Sequence, residues 1–114
     1  MKIVYDKISL SELKKLAEET FGVFVKATVD VEKEIMVVGG ELHCDQESLL
    51  LSQGSSQKNI WGINLYPEKY PSEDWVEFDS MINLRPSFGN KTRGIDDPEV
   101  KEKILKIIKK LVIP

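Results

Sequence analysis

The chain is predicted to fold as an α+β domain: an antiparallel sheet of two hairpins plus a short N-terminal strand, with three helices packed mainly on one face. Apolar residues alternate with polar ones across residues 25–38 and again across 61–84, the pattern of half-buried antiparallel strands. Residues 9–21 and 97–111 instead carry apolar side chains at helical spacing behind capping residues. The resulting order β-α-β-β-α-β-β-α sets the strands in adjacent pairs, which points to hairpins and an antiparallel sheet. At 114 residues a single domain, 1–114, is expected. A globule of this size buries roughly two-thirds of its unfolded surface, enough to fold without disulfides or a structural metal.

Residues 2–5 are short and β-prone and make the first strand. Ser9 and Glu12 then form a Ser-x-x-Glu capping box, Ile8 and Leu13 close a hydrophobic staple, and Gly22 ends the helix. Leu10, Leu13, Leu16, Ala17 and Phe21 share its inner face. In the first hairpin the chain turns near Glu32-Lys33, so that Val29 meets Met36 and Ala27 meets Val38 on a common apolar face. Gly39-Gly40 breaks the strand. Asp45 is expected to cap a short helix over 46–53, closed by Gly54. In the second hairpin Leu65 is set against Val76 and Ile63 against Phe78, with Ile82 and Leu84 continuing the apolar face. Trp61 belongs to that core face, whereas Trp75 falls on the polar face as a partner surface. The same register collects Asn64, Tyr66, Glu77, Asp79, Asn83 and Arg85 on the polar side and leaves Asp79 opposite Gly62. Asp97 and Pro98 open the last helix, whose stripe is Val100, Ile104, Ile107, Ile108 and Leu111.

A net charge of −3 with no concentrated basic footprint argues against general nucleic-acid binding. No segment is long and apolar enough for a bilayer, so no membrane association is expected. The opening residues also lack the apolar core of a signal peptide. The single cysteine, Cys44, excludes an internal disulfide and a cysteine-based zinc site, and a cytoplasmic setting is the expectation.

Of sixteen Lys and Arg residues only Arg85 and Arg93 are arginines, and they flank one stretch that also holds a proline, a glycine and an asparagine. Arginine does what lysine does badly, namely planar, bidentate bonding to a carboxylate or phosphate. The leading candidate site for a small anionic ligand is therefore Arg85, Arg93, Asn83 and Asn90, with Tyr66 nearby and Asp79 on the same sheet face. The structural alternative is that Arg85 pairs with Asp79 or Glu77, while Arg93 fastens its loop to the acidic start of the last helix.

A second constellation is Glu41-Leu42-His43-Cys44-Asp45. In an extended strand Glu41, His43 and Asp45 point the same way, and with Asp79 they make a mixed histidine–carboxylate set for a metal. Asp45 already has work as a helix cap, so the preferred reading is a histidine bonded to the backbone or an acid, with no metal. Cys44 faces away from His43 and is expected as a buried structural thiol; Ser80 faces the apolar side. No phosphate-binding glycine loop occurs and no motif indicates a cofactor.

Three stretches stand out together: GGELHCD at 39–45, WGINLYP at 61–67 and EFDSMINLRPSFGNKTR at 77–93. They resemble a family of small prokaryotic proteins known only as a domain of unknown function. The resemblance spans nearly the whole chain and implies one intact domain, with no activity, cofactor or catalytic residue attached. Three functional readings compete. The first is a binding module that holds an anionic small molecule or acidic partner group through the sheet face and the arginine loop. The second is a hydrolase-like enzyme using His43 with Asp79 or Glu41. The third is a homo-oligomeric interaction protein, with a homodimer formed through the exposed hairpin and Trp75.

Overall fold

The computed structural model describes residues 1–114. The chain opens with β1 (Lys2–Val4) and β2 (Ile8–Ser9), followed by α1 (Leu10–Glu19). A first hairpin, β3 (Val25–Asp30) and β4 (Ile35–Val38), leads to α2 (His43–Ser52). A second, β5 (Ile60–Leu65) and β6 (Val76–Glu77), leads through short 3-10 turns to α3 (Pro98–Leu111) and β7 (Val112–Ile113). Five strands form one antiparallel sheet in the order β1-β4-β3-β5-β6, and β2 pairs separately and in parallel with β7.

Strand alternation divides the interior between the two faces of this sheet. Val25, Ala27 and Val29 of β3, with Met36, Val38, Ile63 and Leu65 beside them, form the larger core with α1 and α3. The opposite face holds a smaller cluster, in which Ile35, Val37 and Ile60 meet Leu50 of α2. Two of the three helices thus share one face.

Local chemistry places the outer elements as expected. Ser9 Oγ accepts the Glu12 amide at 3.1 Å to open α1, and left-handed Gly22 closes it by donating to the Ala17 carbonyl at 2.7 Å. The first hairpin pairs Ala27 with Val38 and Val29 with Met36. Asp97 caps α3, whose buried stripe includes Ile104, Ile107, Ile108 and Leu111.

The middle of the chain differs from expectation in two places. Helix α2 begins at His43, so Glu41, His43 and Asp45 do not lie along a strand, and Asp45 occupies the first turn without capping it. Gly39 and Gly40, at φ of 89° and 83°, do end β4 at Val38 as expected, but the chain turns there into a helix and not into a further extended segment. Fully buried Gln46 then fastens α2 to the sheet. Its Nε2 donates to the carbonyls of Lys26 and Gly39 at 2.8 and 2.7 Å, and its Oε1 accepts from Thr28 Oγ1 at 2.7 Å.

The second hairpin is shorter than predicted. Leu65 does pair with Val76, but β6 ends at Glu77 and the Ile63–Phe78 pair is not made. Ser80 caps a 3-10 turn over Met81–Asn83 instead. Where a continued strand would have bonded Gly62, the Asn83 carboxamide takes its place, accepting the Gly62 amide at 2.8 Å and donating to the Gly62 carbonyl at 2.9 Å. Ile82 therefore packs on the α2 side and Leu84 is exposed. Ser80, rather than Asp79, lies against Gly62. Trp75 is buried, with its ring edge-on to Tyr70 at 5.0 Å, because the charged loop folds back over the core. It belongs to the larger core and not to the polar face.

Candidate functional site

The two arginines part company in the fold. Arg85 is only 8% exposed, and its guanidinium lies 4.3 Å from the centre of the Trp61 ring. It donates to the Gln57 carbonyl and, at 2.7 Å, to the Ile60 carbonyl, so it clamps the start of β5. No carboxylate pairs with it. Burial lowers its pKa, with Glu47 opposing. Asn83 and Asn90 are buried beside it as scaffolding. Asn90 Nδ2 donates to the carbonyls of Asn83 and Gly94 at 2.7 and 2.8 Å, while its Oδ1 accepts the Asp96 amide at 2.8 Å. Asp96 in turn takes the Thr92 hydroxyl and the Lys91 amide, which hold its carboxyl below the usual range.

Arg93 faces the other way. Its Nε donates to Asp79 Oδ1 at 2.7 Å, with both side chains about half exposed. The pair lines a cleft of about 390 Å³ shared with His43, Lys26, Asn64 and Glu77. Strand register explains the meeting: Lys26 of β3 is paired with Asn64 of β5, and Asn64 with Glu77 of β6. The three side chains make one row across the sheet. The opening turn of α2 closes the cleft from above, and no side chain caps it, so its first amides are left for solvent or a ligand.

His43 stands over Gly62, where a Cβ would lie 3.1 Å from its Cδ2. Its Nε2 is 2.8 Å from the Ile63 carbonyl. A carbonyl only accepts, so Nε2 carries the hydrogen and the neutral ring keeps Nδ1 as an acceptor. Burial is the largest influence on its pKa and pushes it below the ordinary histidine value; the Ile63 bond opposes, Lys26 adds to the fall, Asp79 opposes it and Arg93 adds to it. No hydrogen bond joins His43 to Asp79.

Asn64 is 7% exposed. Its Nδ2 donates to Glu77 Oε1 at 2.8 Å, while its Oδ1 is buried without a donor. Tyr66 lies outside the cleft but donates to the same Glu77 oxygen at 3.2 Å; burial first, and Glu77 next, raise its phenol pKa.

Several sequence expectations are redistributed by this geometry. His43, Asp79 and Arg93 come together, whereas Arg85 bonds backbone carbonyls at the start of β5, Asn83 bonds Gly62 of β5 and the Arg93 carbonyl, and Asn90 holds the loop's own backbone. Glu41 and Asp45 are exposed and line no part of the cleft. No group of three His, Cys, Asp or Glu side chains is disposed to hold a metal. Cys44 is exposed on the cleft wall, because a helix start has replaced the strand that was to bury it. Ser80 also borders the cleft. Asn64 and Glu77 were legible on the polar face of the second hairpin. Lys26 was not, since it enters only through the pairing of β3 with β5.

Fold and cleft define a small α+β protein with an open, mixed-charge recess beside one helix N-terminus. The chain belongs to a family of proteins of unknown function, DUF5674, whose model matches residues 2–111. No curated protein and no solved structure matches it.

Proposed function

We propose that this chain is a cytoplasmic, single-domain binding module for a small anionic ligand, held in the cleft beneath α2. The observation that carries the reading is a convergence of donors. Lys26 lines the cleft without an ion-pair partner, its ammonium 5.1 Å from the Phe21 ring centre. Arg93 uses only Nε on Asp79 and keeps its terminal nitrogens for a second acceptor. The uncapped amides of α2 add positive potential at the same mouth. Within the ligand set expected from sequence, the reading keeps Arg93 and assigns Arg85, Asn83 and Asn90 to the scaffold.

Titration of the ¹⁵N-labelled protein with inorganic phosphate tests this. The His43 and Cys44 amides and the Arg93 side chain are expected to shift together along one saturable curve. R93K is expected to weaken binding by about three- to tenfold, since a lysine cannot fork. Unmoved α2 amides at saturation, or unchanged affinity in R93K, would remove the reading.

A further inference from the structure

Two exposed apolar side chains share the cleft with Arg93. Leu42 is 51% exposed and Met81 61%, and both line the recess, where Phe24 and Ile82 add further apolar wall. Neither Leu42 nor Met81 takes part in either core. Single apolar residues scattered over a surface are ordinary. Two that open into one concave recess would leave water together once a molecule fills it. Leu42 is also out of place by local rules. It is the N-cap of α2, where serine, threonine, aspartate or asparagine would accept a first-turn amide, and its side chain makes no such bond. Leucine there forfeits the cap and, half exposed, recovers little by burial. Met81 opens the 3-10 turn after β6, and its unbranched thioether adapts to apolar groups of varied shape.

The charged lining decides what kind of molecule suits this wall. Both carboxylates of the cleft already have donors: Asp79 takes Arg93 Nε at 2.7 Å, and Glu77 takes Asn64 and Tyr66 at 2.8 and 3.2 Å. Lys26 has no ion-pair partner, and Arg93 keeps its terminal nitrogens, so the uncommitted charge is positive. An inorganic anion would leave Leu42 and Met81 uncovered. A purely apolar molecule would leave Lys26 and Arg93 unused.

We infer that the ligand is a small amphiphilic anion, a phosphate monoester or carboxylate whose other end is an aromatic or branched alkyl group. Its anionic head lies toward Arg93 and Lys26, and its apolar end lies on Leu42 and Met81. The inference rests on the anion-binding reading above and adds the organic half. At about 390 Å³ the cleft falls within the range of small-molecule sites, roughly 300–1,000 Å³, with room for one ring and its head group.

Charge-matched pairs test this: methyl phosphate against phenyl phosphate, and acetate against 3-phenylpropionate, each titrated into the intact chain with methyl and amide signals followed. In at least one pair the aromatic member is expected to bind about tenfold more tightly, with the Leu42 and Met81 methyl signals shifted by its ring. That ratio should fall by about threefold or more in L42S and in M81Q. Both positions are exposed, and L42S supplies the missing cap, so this variant should melt no lower than the parent. Binding of inorganic or methyl phosphate with no gain from the ring in either pair overturns the apolar half and leaves the anion site standing. A ratio untouched by both substitutions also overturns it. So do Met81 signals that move with protein concentration alone, since a second copy of the chain would then cover that wall. If inorganic phosphate and every member of the pairs fail to bind, both readings fall.

Discussion

Burial decides what the same side chain does at positions 85 and 93. Arg85 is enclosed over Trp61 and bonded to two carbonyls, whereas Arg93 is half exposed and tied to Asp79 through one nitrogen. R85K is expected to cost about 2–3 kcal/mol, because lysine cannot hold both carbonyls while lying flat on an indole. R93K should move stability by less than about 0.5 kcal/mol, as exposed ion pairs do. Urea midpoints of the two variants measure the contrast; equal losses would mean that Arg93 is also a structural clamp. His43 makes a second residue-level prediction. Its folded pKa lies below its unfolded value of about 6.5. As pH falls through that value, the unfolded chain takes up a proton that the folded chain refuses, so stability declines until the folded pKa is passed. Melting temperatures between about pH 7.5 and pH 5 should show a fall that is shallower in H43Q. An identical slope in the variant would place the pH dependence elsewhere.

At the scale of elements, the informative event is the early end of β6. Gly62 has no side chain, and the space in front of it is taken by Ser80 and His43, with Ser80 Oγ 2.7 Å from where a Cβ would stand. Asn83 bonds the buried amide and carbonyl of Gly62 that a continued β6 would have paired, and also donates to the Arg93 carbonyl at 2.9 Å. One glycine therefore lets α2 approach the sheet, and one asparagine sets where Arg93 begins. G62A is expected to destabilise the fold by about 1–3 kcal/mol through overpacking. It should also push His43 away from the Ile63 carbonyl, which a shift of the His43 ring resonances would report. A variant as stable as the parent, with unmoved His43 signals, would show that the contact relaxes freely.

Across the whole molecule, a sheet covered on both faces makes the cleft. The larger core of α1 and α3 fixes the sheet, and α2 lies across the other face, held by Gln46 and Leu50. Because α2 covers only part of that face, the row from Lys26 to Glu77 stays open beside its N-terminus. The capped helices and the first hairpin register were readable locally: Ser9, Asp97 and the alternation in β3 and β4 each work within a few residues. The second hairpin was readable only to Leu65 and Val76. Beyond that point Asn83 competes with strand pairing from 21 positions away, and no local pattern announces it. The same holds for Trp75, whose burial depends on a loop folding back.

What the sequence alone determined is the α+β class, the order of elements and a polar sheet face with His43, Asp79 and Arg93 among its candidates. Those follow from periodicity and capping, which act over one or two turns of chain. Only the tertiary structure decided that Arg93 and not Arg85 reaches the cleft, that Cys44 and Lys26 border it, and that Asn64 Oδ1 is buried without a partner. Burial and cross-strand neighbours are properties of the assembled sheet, and they belong to no residue until β3, β5 and α2 have met.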